Sequence, residues 1–484
     1  MFDKLKQLTK DTAVYGISTI IGRFLTFLLV PFYTNVFTPF DYGVVSNLYI
    51  FIAIFNVVLI YGMDAAYLKF ASNIVVGDDK DNFSTPYLSV LGVAALLSLL
   101  MISFKASIYS VLDIPDGFYK LIYYVAPILF LDAICVIPFI KLRLERQAKK
   151  FALFKTLNIL VNVFLNLFLI LKLKWGIEAV FFSNLVASAT SFVLVFPSVV
   201  KNLRLKINKI LLQRLLKFGL PYLPAGLAGM LIQGIDRPIL THLTDLGTAG
   251  LYSANYKLGI FMMLFVNMFQ YAWQPFFLQT AQEKDAKNIF SKVLTYFTLA
   301  ASFVLVIVSL FVADIAQISI HGHTIIGREY LSGLIIVPVI LLGYLFNGLY
   351  VIFTAGIYIK EKSIYVPIMM IIGASVNVGI NYWLIPSWGI MGAALATLAA
   401  YFVMAVGYFF VTQNIYKINY EYSKIAKIFI SIIIVAAIYY TQLLGGHLNI
   451  LNEFLMLLLF IILLAIFNVG KEEILFLRKR YKKI

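Results

Sequence analysis

A succession of long apolar stretches runs through the whole chain and restricts the possible folds more than any other feature. About fourteen of them come close to the roughly 20 residues that a helix needs to cross a bilayer. They cover residues 12–34, 44–62, 86–107, 118–140, 152–172, 176–198, 218–240, 249–272, 290–312, 331–355, 364–386, 389–412, 424–444 and 450–468. Apolar residues make up 62% of the 484 residues, whereas a soluble protein has roughly 45–50%. We predict an all-α polytopic membrane protein with about fourteen transmembrane helices.

The distribution of basic residues orients these helices, because cytoplasmic loops of membrane proteins carry an excess of lysine and arginine. With the N-terminus placed inside, 31 of the 39 basic residues lie in inside segments, 5 in outside loops and 3 within helices. We therefore predict that both termini are cytoplasmic. The net charge of +16 is scattered over many loops. This pattern argues against nucleic-acid binding and favours contact with membrane lipids.

The chain contains an internal repeat that pairs each matched helix with the sixth helix after it. Residues 15–49 match residues 222–256 at a constant offset of 207. The matching pairs are Tyr15 and Tyr222, Gly22 and Gly229, Pro31 and Pro238, Thr34 and Thr241, Gly43 and Gly250, Ser46 and Ser253, and Tyr49 and Tyr256. Later matches pair Asn162 and Asn166 with Asn377 and Asn381, and Trp175-Gly176-Ile177 with Trp388-Gly389-Ile390. Each asparagine pair lies on one helix face, and we expect it to pack against neighbouring helices.

The repeat divides the chain into two lobes. Because six is an even number, both copies enter the bilayer in the same direction, as in transporters that bind substrate between two parallel repeats. We predict two pseudo-symmetric six-helix lobes followed by two C-terminal helices. The predicted segments are an N-lobe at 1–198, a cytoplasmic amphipathic linker at 199–217, a C-lobe at 218–412, and the last two helices with a basic tail at 413–484. A duplication kept only for packing is the alternative interpretation.

Three basic residues inside predicted helices are our candidates for contact with a cavity. An arginine or lysine at the centre of a membrane helix costs roughly 2.5–3.5 kcal/mol, so such residues usually face a cavity. Arg23 lies in helix 1, Arg237 in helix 7 and Lys257 in helix 8. Their alternatives are a structural pair with a carboxylate for Arg23, a cap near the outer surface for Arg237, and a side chain extended toward that surface for Lys257.

Asp132 and Asp236 are the candidate residues for ion coupling. Asp132 lies in the middle of helix 4, where it suits a proton-coupling role; a hydrogen bond to a neighbouring helix is the alternative that we favour. Asp236 directly precedes Arg237. Because adjacent residues on a helix do not face each other, we expect no direct pair between these two side chains. Pro238 follows, and we expect the helix to bend or end there.

The first two predicted helices also carry a recognisable pattern. It consists of Tyr15-Gly16 through Gly22-Arg23, then Pro31-Phe32-Tyr33-Thr34, then Phe40-Asp41-Tyr42-Gly43. With the basic linker and the two extra C-terminal helices, this pattern resembles the polysaccharide-repeat-unit flippases of the Wzx type. These are the O-antigen and capsule translocases of the multidrug/oligosaccharidyl-lipid/polysaccharide exporter superfamily. The resemblance covers essentially the whole chain.

The resemblance implies a function and a cavity. The family moves undecaprenyl-pyrophosphate-linked oligosaccharide from the inner to the outer leaflet of the bacterial inner membrane, with ion coupling proposed for several members. It places helices 1, 2, 7 and 8 at a central cavity, so Arg23, Arg237 and Lys257 would contact the pyrophosphate. Arginine and lysine suit such an anion by fork geometry and point charge. The implied partners are this lipid-linked substrate, membrane lipids, and a polymerase with other polysaccharide-assembly proteins, and no cofactor is implied.

Two other functions stay open. A drug or cation antiporter of the same superfamily relies on buried carboxylates more than on cations. A membrane-embedded polysaccharide polymerase or ligase needs a large outer loop with catalytic residues, and we find no nucleophile–base arrangement. We therefore predict no catalytic residue. The single cysteine, Cys135, excludes paired-thiolate metal sites, and His321-Gly-His323 lacks an apparent third ligand, so we predict no metal site.

Overall fold

A computed structural model describes most of the chain, and nearly all of the described part is helical. The described residues are 27–72, 76–320, 322–444 and 449–469, together with Gly22 and Leu25. The predicted all-α membrane fold is confirmed. A two-residue hairpin is an exception, in which β1 (Ser319–Ile320) pairs antiparallel with β2 (His323–Thr324).

The helices of the first part of the chain follow the predicted spans closely. They are α1 Leu29–Val36, α2 Pro39–Ile60, α3 Met63–Ser72, α4 Asp79–Ser103, α5 Lys105–Val111, α6 Ile122–Leu144, α7 Ala148–Leu171, α8 Glu178–Asn202 and α9 Lys209–Gly219. A 3-10 helix at Asp116–Leu121 leads into α6. The predicted first span, 12–34, lies mostly outside the described residues.

The second part of the chain contains the same kind of helices with more interruptions. They are α10 Tyr222–Gly234, α11 Asp236–Leu243, α12 Leu246–Tyr256, α13 Ile260–Thr280, α14 Ala286–Gln317, α15 Val337–Ile359, α16 Tyr365–Ile415, α17 Tyr422–Leu444 and α18 Ile450–Ile466. Short 3-10 helices lie at Lys257–Gly259 and Arg328–Ile336. Within α16, Gly389 has φ +51 and ψ −127, so two helices meet at this residue.

Nine helices of the described residues are long and apolar enough to cross a membrane. The number rises to ten if α9 and α10, bent by 42° at their junction, form one span. α18 is apolar but shorter. The first predicted span lies mostly outside the described residues, the last is the shorter α18, two join in α16 and count as one, and those at 218–240 and 249–272 are broken, which accounts for the difference from fourteen.

The breaks in predicted helices 7 and 8 lie next to proline and lysine. α10 ends at Gly234, and α11 begins at Asp236. Pro238 lies in the first turn of α11, where its missing N–H is tolerated. The predicted break therefore occurs slightly before the proline. Lys257, expected inside helix 8, lies in the 3-10 turn between α12 and α13.

Side-chain caps explain where several helices begin. Thr38, Asp78, Asn208, Asp245 and Asn449 each precede a helix and accept a hydrogen bond from a backbone N–H of its first turn. Such residues satisfy N–H groups that the helix itself leaves free. The short polar residues between apolar stretches thus fix the helix starts.

The start of α4 is also tied to the segment between α8 and α9. The guanidinium of Arg204 donates to Asp78 Oδ2 at 2.8 Å and to Asp81 Oδ1 at 2.9 Å. The backbone N–H of Asp81 and the charge of Arg204 lower the pKa of Asp78. This contact fixes part of the predicted amphipathic linker.

The described residues form two compact units. The first consists of the described residues within 1–257 and 370–400, and the second of those within 258–369 and 401–484. In the first unit α6 packs against α4 and α8, and α2 packs along α12. In the second unit α15 packs against α13 and α14, and α14 also contacts α17 and α18. The predicted lobe boundaries stay predictions.

The repeated asparagines make the same bonds in both copies. The side-chain amide of Asn166 donates to the backbone oxygen of Asn162 at 2.9 Å and to its side-chain oxygen at 3.1 Å. Asn381 donates to Asn377 in the same way, at 2.9 and 3.0 Å. Matched sequence thus gives matched local geometry.

Candidate functional site

A polar cavity of about 420 Å³ lies within the first compact unit, between helices whose other faces are apolar. Residues from α2, α3, α6, α7 and α8 line it. The polar and charged ones are Asn56, Asp64, Asp132, Arg143, Lys155, Asn158, Asn184, Ser188 and Ser191. Polar groups are costly inside a membrane and usually mark a substrate or ion path. This cavity is therefore our candidate functional site.

Asp132 of α6 lies on the wall of the cavity. The hydroxyl of Ser188, on α8, donates to Asp132 Oδ1 at 2.7 Å. The favoured alternative, a hydrogen bond between neighbouring helices, is therefore present, and the carboxyl group also lines a cavity. The predicted role of Asp132 in ion coupling stays a prediction.

Two basic residues of the cavity were missed as site residues by sequence reasoning. Lys155 of α7 places its Nζ 4.2 Å from the centre of the Phe139 ring, a favourable cation–π distance. Arg143, near the end of α6, lines the same cavity. Both were counted only as cytoplasmic orientation charges. The signal that could have found Lys155 is its spacing of three residues from Asn158, which places both on one helix face.

Asparagine side chains connect α7 and α8 beside the cavity. The amide of Asn158 donates to the backbone oxygen of Ala187 at 2.7 Å and to Ser191 Oγ at 3.0 Å. Asn184 donates to Tyr49 Oη at 3.4 Å. These bonds hold amide and hydroxyl groups at the wall, where they suit contact with sugar hydroxyls or water.

The expectation for Asp236 and Arg237 is wrong. Arg237 Nη1 lies 2.8 Å from Asp236 Oδ1, and both side chains are buried, at 6% and 0% exposure. The rule for adjacent residues describes side chains that extend away from the helix, whereas the Arg237 side chain turns back toward Asp236 at the start of α11. The same guanidinium nitrogen also donates to the backbone oxygen of Gln233 at 2.5 Å. The long arginine side chain thus folds back over the helix break.

Neighbouring groups complete the surroundings of this ion pair. Tyr252 Oη donates to Asp236 Oδ2 at 2.5 Å, and Thr397 Oγ1 donates to the same oxygen at 3.3 Å. The Arg237 guanidinium lies 4.2 Å from the centre of the Tyr256 ring. A buried charge needs this kind of partner and hydrogen bonding. The predicted roles of Asp236 in ion coupling and of Arg237 in substrate binding stay predictions.

Of the other two predicted basic residues, the structure describes Lys257 but not Arg23. Lys257 is exposed and donates from Nζ to Tyr42 Oη at 2.9 Å. Arg23 lies outside the described residues, so its role stays a prediction. Its neighbour Gly22 is described, and a Cβ at Gly22 would lie 2.7 Å from the Ile159 side chain of α7. The described residues contain no group of three or more His, Cys, Asp or Glu that could hold a metal ion.

A family model described as "Polysaccharide biosynthesis protein" matches residues 34–316, which is more than half of the chain. The chain belongs to this family. The match extends from the end of α1 to the end of α14 and so contains every residue that lines the cavity. A comparison of this polysaccharide biosynthesis protein with curated proteins finds no match.

Solved structures share the fold of this polysaccharide biosynthesis protein at low sequence identity. The lipid II flippase MurJ, in an inward closed conformation, aligns with a TM-score of 0.75 at 17% identity, over 96% of this chain and 100% of that one. An inward-facing multidrug resistance MATE family transporter of the MOP superfamily aligns at 0.67 and 13% identity, over 81% and 94%. A mutant of the Vibrio cholerae MATE transporter VcmN aligns at 0.58 and 12%, over 84% and 96%. The protein therefore has a MurJ/MATE-like all-helical transporter fold.

Proposed function

We propose that this protein moves undecaprenyl-pyrophosphate-linked oligosaccharide from the cytoplasmic to the periplasmic leaflet of the bacterial inner membrane. The observation that carries the proposal is the cavity with Lys155 and Arg143 on its wall, in a family of polysaccharide biosynthesis proteins. A pyrophosphate carries about two negative charges, and cations bind its oxygens through charge-assisted hydrogen bonds. The proposal includes no chemical change to the glycan.

The neutral polar residues of the cavity suit the sugar part of this substrate. Asn158, Asn184 and Ser191 present amide and hydroxyl groups that exchange hydrogen bonds with sugar hydroxyls or water. A glycan in such a cavity avoids the loss of hydrogen bonds that it would suffer in lipid. The apolar lipid tail stays in the bilayer, where it has no hydrogen bonds to lose.

Alternating access is the proposed route between the leaflets. The repeat supports two equivalent halves, and its glycines lie at a contact of equivalent helices: a Cβ at Gly43 of α2 would overlap the backbone oxygen of Leu246, at the start of α12. A Cβ at Gly250 would overlap the backbone oxygen of Pro39. Pro39 and Leu246 are themselves 207 residues apart, so each helix makes the same contact with the other. We propose that this contact closes one side of the path and opens during transport.

The direct test is transport by the purified protein in lipid vesicles. A fluorescent undecaprenyl-pyrophosphate-linked oligosaccharide is placed in both leaflets, and a membrane-impermeant quencher reports the fraction that reaches the outer leaflet. The proposal predicts that quenching exceeds that of protein-free vesicles. Equal quenching with and without protein, when the protein is folded and inserted, would contradict it.

A drug or cation antiporter is the second candidate function, and the position of Asp132 favours it. A carboxylate on the cavity wall could bind a cationic drug or a coupling proton. Dye efflux from the same vesicles separates the two candidates. Efflux of a cationic dye under a proton or sodium gradient, abolished by Asp132→Asn, would support the antiporter, whereas glycan transport without dye efflux supports the flippase.

We also propose a setting for the transport reaction. Enzymes that assemble the lipid-linked glycan must supply the substrate on the cytoplasmic side, and a polymerase or ligase must consume it on the periplasmic side.

Both termini are proposed to be cytoplasmic, in keeping with the positions of the basic residues. Cysteine labelling of an engineered residue at each end, in intact and broken cells, tests this orientation.

A further inference from the structure

Two carboxyl groups meet between α14 and α18, far along the chain from the residues that line the polar cavity. Asp314 lies in the last turn of α14, and Glu453 lies in the first turn of α18, just after the cap residue Asn449. The ring centres of Phe311 and Phe454 are 4.9 Å apart and join the two helices beside the carboxyl groups. Both residues belong to the second compact unit.

The surroundings of this pair leave acceptor oxygens without donors. Glu453 is only 3% exposed, and its carboxyl group lies within hydrogen-bonding reach of that of Asp314. Among the described residues, Glu453 Oε2 and Asp314 Oδ2 have no hydrogen-bond partner. An ionised carboxyl group is an acceptor only. Two ionised carboxyl groups in contact would therefore repel each other and leave both oxygens unsatisfied, which is costly in a buried setting.

Other groups around the pair do not supply the missing positive charge. Helix α17 contributes the phenols of Tyr439 and Tyr440, and the charges of both carboxyl groups act on Tyr439. The hydroxyl of Tyr440 also has no partner among the described residues. Within the same described part of the chain, Asp314 is the charged group that acts on Glu453, and no ion pair with a basic side chain is present. A bound proton is the simplest cation that satisfies these oxygens, because it turns one acceptor into a donor.

We propose that Asp314 and Glu453 form a proton-binding site, in which the two carboxyl groups share one proton and hold α18 against α14. The chemistry is that of paired carboxyl groups, which cannot both ionise in contact. Release of the proton leaves two negative charges in contact and separates the two helices. This site is independent of the flippase proposal, since it requires no substrate.

The site has a consequence for a neighbouring apolar cavity. Tyr439 and Tyr440 also line a cavity of about 120 Å³ in the same unit, together with Leu310 and Pro338. Asp314 lies one turn beyond Leu310 on α14. Movement of α14 away from α18 would therefore change the width of this cavity. Proton binding at the carboxyl pair thus controls how tightly apolar chains can pack between α14, α15 and α17.

Infrared spectroscopy of the purified full-length protein tests the proposal. The wild type should show the C=O band of one protonated carboxyl group at neutral pH, and alkaline pH should remove it. The double variant Asp314→Asn/Glu453→Gln keeps the shape and hydrogen bonding of the pair without an ionisable group, and it should lack the band. Glu329→Gln changes an exposed carboxyl group and serves as the matched control, which should keep the band. A wild type without the band, or a folded double variant with an unchanged band, would overturn the proposal.

A second measurement on the wild type avoids any dependence on variant folding. Dicyclohexylcarbodiimide reacts with protonated carboxyl groups in apolar surroundings, and mass spectrometry locates the modified residue. We expect an adduct on Asp314 or Glu453 at neutral pH, at least several-fold weaker at alkaline pH. Absence of any adduct on both residues, while other carboxyl groups are modified, would overturn the proposal.

Discussion

Gly43 and Gly250, which are 207 residues apart in the chain, lie against each other where α2 crosses α12. A Cβ at Gly250 would lie 2.7 Å from the backbone nitrogen of Gly43 and would overlap the backbone oxygen of Pro39. Small residues at helix crossings allow backbones to approach closely in membranes. The two glycines are equivalent members of the repeat, so one duplicated glycine serves both sides of the contact.

We predict that Gly43→Ala and Gly250→Ala disrupt this contact. Each added methyl group meets backbone atoms, which cannot move aside as a flexible side chain could, and overpacking of this kind costs roughly 1–3 kcal/mol. Vesicle transport should fall several-fold in both variants. The rate of labelling of a cysteine placed at Ser46, which is only 9% exposed, should rise as the contact opens.

Gly92→Ala is the matched control for these variants. Gly92 lies inside α4, and a Cβ there meets nothing within 4 Å. Alanine favours a helix over glycine by roughly 0.8–1.0 kcal/mol, so this variant should be as stable as the wild type or more stable. A loss of transport in Gly92→Ala equal to that in Gly43→Ala would contradict the claim that the contact between α2 and α12 is needed for transport.

Removal of Asp236 should strongly destabilise the protein. Asp236→Asn removes the carboxylate charge that lies 2.8 Å from the buried guanidinium of Arg237, and breaking a buried ion pair typically costs about 3–5 kcal/mol. Tyr252→Phe removes one hydrogen bond to the same carboxyl group and should cost about 1 kcal/mol. Thermal unfolding in detergent measures both values. Equal Tm values for Asp236→Asn and the wild type would show that the ion pair does not stabilise the fold.

The cap of α12 should give a stability that depends on pH. Burial raises the pKa of Asp245, but hydrogen bonds from Thr248 and the backbone N–H of Gly247 outweigh it, so the net pKa is lowered. A lowered folded-state pKa gives stability that is present above the unfolded value of about 3.9 and is lost as pH falls through the folded value. Asp245→Asn should therefore lower the Tm at neutral pH.

Measuring the Tm of Asp245→Asn and of the wild type at several pH values separates the contribution of the Asp245 charge from that of helix capping. Asparagine caps a helix about as well as aspartate, so the difference between Asp245→Asn and the wild type isolates the charge. We expect this difference to shrink as the pH falls toward and below about 3.9. A difference that stays constant over the whole pH range would contradict the assignment of the stability to the ionised carboxyl group.

Much of the fold can be predicted from local sequence, whereas less of the candidate site can be predicted in this way. Apolar length predicts the spans because each helix must satisfy its own backbone in lipid. The repeat predicts that Asn166 and Asn381 lie in equivalent surroundings, and their bonds match. These bonds join residues one turn apart on the same helix, whereas we expected contacts with neighbouring helices. Asp132 was found because its position is deep in a span.

Other features depend on contacts that a single sequence does not contain. Lys155 and Arg143 resemble ordinary cytoplasmic charges until the packing of α6, α7 and α8 places them beside Asp132. The pair of Asp236 and Arg237 was missed because the rule for adjacent residues does not allow for a long arginine side chain that folds back toward the start of its helix. The carboxyl pair of Asp314 and Glu453 joins residues 139 positions apart, and neither has a local pattern that points to the other.

The most direct test of the account is the effect of Lys155→Ala on transport of lipid-linked glycan in vesicles. Loss of a hydrogen bond to a charged group costs roughly 1.5–3 kcal/mol, so transport should fall about tenfold or more. Lys149→Ala removes an exposed lysine of the same helix that does not line the cavity, and it should transport like the wild type. Lys155→Ala and Lys149→Ala proteins that are equally folded and transport glycan at the wild-type rate would contradict the assignment of this cavity to the substrate path.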